Sequence, residues 1–160
     1  YLLTGSDTEV RGYMERLNAT GRYEVRKEIL ETLQDQFSAG WCDDQRAADT
    51  IARVFGTEGY LMDPHTAVAY TVMEDYRRQT GDNRLCVVLS TASPYKFCSS
   101  VLEAMGVTEF QAGTGILRQL EEKTRTRAPA PLRELDGKQV RFTGTTEKDQ
   151  MERVVREFLR

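Results

Sequence analysis

Leu85-Cys86-Val87-Val88-Leu89-Ser90-Thr91-Ala92-Ser93-Pro94-Tyr95-Lys96-Phe97 is the stretch on which the fold turns. An unbroken apolar run, Leu85 to Leu89, empties into small hydroxyl residues and then into a proline. An all-apolar run of this length reads as a strand covered on both faces. Ser93 can cap the next helix through its side-chain oxygen, and Pro94 suits a first helical turn, where a missing N–H costs nothing. In open α/β sheets ligands bind just beyond the carboxyl ends of strands, where Ser90, Thr91 and Ser93 fall. On pattern alone the hydroxyls need do no more than close a strand-to-helix turn, because a fold-level position does not establish a site.

Working outward, 160 residues suffice for one ordinary domain with its own core. The charge is balanced, with 22 basic against 25 acidic residues and a net charge of −3. No basic stripe is available to neutralise phosphates, so a general nucleic-acid binder is not expected. No apolar run approaches membrane-spanning length, and no signal-peptide pattern opens the chain. Cys42, Cys86 and Cys98 are an odd number without CxxC spacing, and there is one histidine. Reduced thiols in the cytoplasm are the simpler expectation, and a metal site is not expected. Tyr1-Leu2-Leu3 is apolar and lacks an initiating Met, which reads as the interior of a larger protein.

Upstream, Ser6 and Glu9 have capping-box spacing ahead of Val10, Tyr13, Met14 and Leu17, with Gly21 as the stop. A second helix is expected from about Arg22, with Val25, Ile29, Leu33 and Phe37 at four-residue spacing. Ser38 to Cys42 should be a loop, and Asp43 or Asp44 should cap a third helix carrying Ala47, Ala48, Ile51, Val54 and Phe55. Asp63-Pro64 reads as N-cap and first residue of a fourth, with Ala69, Val72, Met73 and Tyr76 on one side. Downstream, Val101, Leu102 and Met105 continue the helix opened by Pro94, and a shorter helix spans Thr114 to about Lys123. Arg127 to Pro131 is held extended by its prolines. Val140-Arg141-Phe142 reads as a second short strand, and a last helix near Glu147–Leu159 carries Met151, Val154, Val155, Phe158 and Leu159. The class is helix-rich α/β with few strands, a single unit over residues 1–160. Those strands are too few for a free-standing doubly wound domain, so the chain is expected to complete a sheet supplied elsewhere.

Individual candidates for chemistry are weak when taken singly. His65 at a helix start is more often a partly exposed packing residue than a base. Lys96 could form a Schiff base if desolvated, but a snorkelling lysine is commoner there. Trp41 and Cys42 could line a pocket, although a loop tryptophan more often covers a core edge. Asp43 and Asp44 read as caps rather than an acid/base pair. No Gly-rich phosphate loop or GxSxG elbow is present.

Two motifs in order carry more. Leu89-Ser90-Thr91-Ala92-Ser93-Pro94-Tyr95-Lys96-Phe97, preceded by Gly59-Tyr60-Leu61-Met62-Asp63-Pro64-His65-Thr66-Ala67-Val68-Ala69, resembles the carboxyl-terminal part of threonine synthase. Tyr1-Leu2-Leu3-Thr4-Gly5 and Phe37-Ser38-Ala39-Gly40 resemble the same family in the same order. The likeness is firm to about residue 106 and looser beyond. Many members have His and Ala around the proline where this chain has Ser93 and Tyr95, so no family role is carried onto that position.

The resemblance implies a carboxyl-terminal fragment of a fold-type II pyridoxal-phosphate enzyme, the tryptophan synthase β class. The reaction it implies converts O-phosphohomoserine and water into threonine and phosphate, in threonine biosynthesis. In that class a hydroxyl at a strand end faces the cofactor's pyridine nitrogen. Carried over, that residue is Thr91, with Ser90 the neighbouring candidate, while Ala92, His65 and Thr66 fall around the same pocket. A neutral hydroxyl leaves the cofactor a weaker electron sink than a carboxylate would. The family's cofactor-bearing lysine and phosphate loop precede this region, and none of Lys27, Lys96, Lys123, Lys138 and Lys148 lies in that context. No catalytic residue is therefore expected within the chain. The expected partners are the remainder of its own chain and, through exposed apolar surface, further copies of itself. The rival reading is a non-catalytic α/β interaction module docking through its apolar edge.

Overall fold

The structure is a computed structural model that describes residues 1–159. Its helices are α1 (Asp7–Thr20), α2 (Lys27–Gln36), α3 (Asp44–Glu58), α4 (Pro64–Thr80), α5 (Cys98–Ala104), α6 (Gly115–Thr124), α7 (Ala130–Arg133) and α8 (Met151–Phe158). Short 3-10 turns at Pro94–Lys96 and Lys148–Gln150 precede α5 and α8.

Most helix ends follow local chemistry. Ser6 caps α1 by accepting from the Glu9 N–H at 3.1 Å. Glu9 does not close the capping box, since its carboxylate turns to the Tyr13 hydroxyl and Arg26 instead. Asp43 caps α3, accepting from the Arg46 N–H at 2.8 Å. Gly21, Gly59 and Gly81 end α1, α3 and α4 in the left-handed region, where a side chain would be strained. The second helix starts at Lys27 rather than near Arg22, because residues 22–26 are drawn back onto α1. Tyr23 stacks on Tyr13, and Arg26 pairs with Glu9.

The core lies where α3 packs along α4 and α5, with α5 in turn on α6. Ile51, Met62, Ala67, Val101, Leu102 and Leu120 are buried there. Burying one such large side chain contributes roughly 1.5–3 kcal/mol. The Thr50 and Thr71 hydroxyls satisfy each other at 2.8 Å across the α3–α4 seam. At the rim of that seam Arg46 forks onto the two Asp75 oxygens at 2.9 and 2.8 Å. Helix α4 turns Thr66, Ala67 and Thr71 inward. The expected face, Ala69, Val72, Met73 and Tyr76, instead lines a recess of about 450 Å³ shared with Phe37 and Arg84.

The expected strands are absent, and the α/β class is corrected to all-helical among the described residues. Leu85–Leu89 and Val140–Phe142 have no regular structure. Nor is the central run covered on both faces, since Leu85, Val87 and Leu89 are 94%, 80% and 73% exposed. A helix satisfies its own backbone, whereas a strand exists only through the ladder to its neighbour. The prolines near residue 130 do not hold the chain extended throughout, because Pro131 sits in the first turn of α7. Trp41 does not cover a core edge and is 78% exposed. The apolar stripe of α8, Met151, Val154, Val155 and Phe158, is exposed as well.

Gly40 in the Phe37–Gly40 segment lies directly on α4. A Cβ there would sit 2.7 Å from Val72 Cγ1, inside van der Waals contact with a stiff β-branched side chain. Gly40→Ala should therefore lower stability by about 1–3 kcal/mol in urea unfolding. Adding Val72→Ala should lessen the further cost of the alanine at position 40. Equal cost of Gly40→Ala in both backgrounds would show that the close approach is not what requires glycine.

Candidate functional site

The two long motifs meet beside Asp63, through Thr66 on Ser90 and His65 on Phe97. The Asp63 carboxylate is fully buried at the N-terminus of α4. Oδ1 accepts from the backbone N–H groups of His65 at 3.0 Å and Thr66 at 3.4 Å, capping the helix. The same oxygen lies 3.0 Å from His65 Nδ1, and Oδ2 accepts from the Thr66 hydroxyl. Thr66 Oγ1 in turn lies 3.2 Å from Ser90 Oγ, just beyond the apolar run.

The direction of these bonds follows from proton counting. An ionised carboxylate only accepts, and a hydroxyl has one proton to give. Thr66 is the donor in both of its side-chain contacts, so its one proton is divided between Asp63 Oδ2 and Ser90 Oγ. Burial is the largest single influence on Asp63 and pushes its carboxyl up. The donors from Thr66 and His65 together outweigh it and hold the group below the ordinary carboxylate range. Asp63 therefore stays ionised at neutral pH.

His65 has its ring largely in solvent, packed edge-on against Phe97 with centroids 4.9 Å apart. With Nδ1–H given to Asp63, the neutral ring offers Nε2 outward as an acceptor. This is not a Ser–His–Asp relay, because Ser90 bonds to Thr66 and not to His65. Ser90 and Thr91 are exposed, and Ala92 is half-buried beside them. Lys96 is exposed. The Cys98 thiol is buried and pushed up by desolvation, which suits a packing residue rather than a nucleophile.

The loop carrying Ser90 is tied at both ends. At its start the Asp82 carboxylate accepts from the Arg84 N–H at 3.0 Å, and Arg77 donates to the Arg84 carbonyl at 2.7 Å. At its end Ser93 accepts from the Tyr95 N–H at 3.3 Å, and the buried Tyr95 hydroxyl pairs with Thr126 at 2.7 Å. A recess of about 500 Å³ between α3, the start of α4 and α5 is lined by none of His65, Ser90 and Thr91. The hydroxyl site is an open rim.

The reading of the sequence had Asp63 as a cap only and so missed its second function as hub. The D-P-H-T order was the available signal, since it sets a carboxylate three residues before a hydroxyl at the start of a helix.

Comparison with known proteins fixes the lineage. Residues 66–158 match the family model described as "Threonine synthase, C-terminal". The chain belongs to this family. Human threonine synthase-like 1 is 32% identical over 94 residues, which is 59% of this chain and 12% of that protein. Threonine synthase of Saccharomyces cerevisiae is 28% identical over 114 residues, 66% of this chain and 22% of that protein. A pyridoxal-phosphate-bound threonine synthase from Brucella melitensis superposes with a TM-score of 0.54 at 30% identity, over 75% of this chain and 24% of that one. The chain thus spans between 12% and 24% of the length of these relatives.

Asp63→Asn keeps the shape but gives the site a donor where it has only donors around it. It should cost about 2 kcal/mol at neutral pH. Because the folded-state value is lowered, the carboxylate's contribution is present in full above about pH 4 and is lost as the pH falls through that lowered value. Urea unfolding of both forms between pH 7 and pH 3 should show the gap closing. A gap independent of pH would mean that the charge of Asp63 contributes nothing.

Proposed function

We propose that this chain is the carboxyl-terminal part of a threonine synthase of fold-type II, which uses pyridoxal phosphate to convert O-phosphohomoserine and water into threonine and phosphate. The observation that carries the reading is the family match over residues 66–158, which begins at Thr66 and takes in Ser90 and Thr91. The solved relative named as bound to pyridoxal phosphate supports the cofactor.

The residues of the rim fit one edge of that cofactor. Ser90 and Thr91 present neutral hydroxyls, Ala92 is small enough for a ring edge, and the nearby Asp63 charge is buried and saturated. When bound, pyridoxal phosphate supplies the electron sink that makes bonds at the substrate's α and β carbons labile. The chain's part is to hold a neutral donor at the pyridine end and to keep a carboxylate away from it. His65, with Nε2 outward, would offer a further acceptor at the same rim.

In this reading the fragment is one wall of an active site. The cofactor lysine lies in the remainder of the chain, together with the sheet that the exposed Leu85–Leu89 run would join. No helix among the described residues is long and apolar enough to cross a membrane, and three free cysteines suit a reducing cytoplasmic setting.

The purified chain alone should form no threonine from O-phosphohomoserine. After addition of pyridoxal phosphate and borohydride, peptide mapping should find no lysine labelled specifically at stoichiometric cofactor. Specific labelling of Lys96 would mean that the fragment holds its own site. Sedimentation should also show self-association, because Leu85, Val87, Leu89 and the α8 stripe leave large apolar surface in water. A monodisperse, heat-stable monomer would contradict the wall.

A further inference from the structure

Two apolar helix stripes of this chain are left open, and they match in form. On α4 the stripe is Ala69, Val72, Met73 and Tyr76, which lines the recess of about 450 Å³ with Phe37 on its wall. On α8 it is Met151, Val154, Val155 and Phe158, all exposed. Both follow the i, i+3, i+4, i+7 spacing of one helix face and run about 10 Å along the axis. We propose that the recess on α4 is a docking surface for α8 of a second copy of this chain, with the exchange made both ways about a two-fold axis.

Three observations point to this occupant. Glu152 pairs with Arg156 at 2.8 Å and Glu157 with Arg153 at 3.1 Å, each along one helical turn. The flanks of α8 are therefore neutral, whereas a helix built for an anionic lipid surface or for phosphates would carry a basic face. The stripe thus suits a protein groove, and stripes of equal length let helix ridges interdigitate along their whole span. Residues 134–159 are all exposed, so α8 stands off its own core and offers its stripe to a second copy without rearrangement. The last observation concerns size. One eight-residue helix in one groove is small beside the roughly 1,200 Å² at which specific interfaces start, and reciprocal seating doubles it. A two-fold pair does so with the same two patches on both copies.

Sedimentation of the complete protein that carries this chain, over a range of concentrations, tests the exchange. In that protein the rest of the chain is available to cover the 85–89 run. Wild type should dimerise reversibly. Phe158 and Ala69 are exposed, so Phe158→Glu and Ala69→Glu keep the fold. Each should weaken the dimer at least about thirtyfold, the size of losing one buried anchor. An equimolar mixture of the two variants sets one intact α8 against one intact recess, and should form a mixed dimer tighter than either variant alone.

A mixture no tighter than the single variants would rule out exchange between copies. A dimer that both variants leave unchanged would place the interface elsewhere and overturn the proposal. A wild type that is monomeric at every concentration would overturn it too. In that case, protease attack on α8 provoked by Ala69→Glu would seat the helix on the recess of its own copy, and attack unchanged by Ala69→Glu would seat it away from the recess altogether.

Discussion

A carboxylate with no exposed surface constrains everything around it. Asp63 is fully buried, and an ionised group in that position is tolerable only if donors replace the water it has lost. The chain supplies them from within a few residues, through the backbone and side chains of His65 and Thr66. Meeting that demand fixes where α4 starts, which way the His65 ring faces and which way the Thr66 hydroxyl turns. The apolar neighbours Leu61 and Met62 are buried on the approach, so the segment cannot slide without exposing them. Capping, packing and site geometry are therefore one constraint at this point of the fold.

That constraint stands in contrast to the apolar run it touches. Helices α3 to α6 close their backbone bonds internally and bury one face each against one another. Leu85–Leu89 has neither option. It lacks a neighbouring strand, and its β-branched valines and flanking turn residues disfavour a helix. Exposure of Leu85, Val87 and Leu89 is the direct consequence. The rim at Ser90 is thus the junction between a packed helical core and an exposed apolar run without regular structure.

The same distinction explains what the sequence made legible. Signals closed within a few residues are legible, such as Ser6 ahead of α1, a cap for α3 at Asp43 or Asp44, which the structure places at Asp43, and Asp63-Pro64 opening α4. The delayed start of α2 was not legible, because it depends on Tyr23 and Arg26 folding back onto Tyr13 and Glu9. The inward face of α4 was misread for a related reason. Threonines 66 and 71 look polar in a pattern, yet each finds a hydroxyl or carboxylate partner and packs inside. Candidate residues fared in the same way. His65 and Thr66 are linked by Asp63, whose capping role concealed its second set of bonds, and Ser90 joins them through Thr66.

The Ser93 and Tyr95 departures test how separable the rim is from its support. Both positions flank a proline that the family resemblance emphasises, yet neither side chain enters the Asp63 hydrogen-bond chain. Ser93 is used locally, accepting from the Tyr95 N–H to start the 3-10 turn. Tyr95 is buried, and its hydroxyl reaches Thr126 beyond α6. A bulky aromatic is therefore accommodated by the α5–α6 side of the core, on the far side of the turn from Ser90. Changes there alter how the turn is anchored to α6 while leaving Asp63, Thr66 and Ser90 bonded as they are. The buried carboxylate and the Tyr95 anchor hold opposite ends of one short loop, so substitution at one end need not displace the hydroxyls at the other.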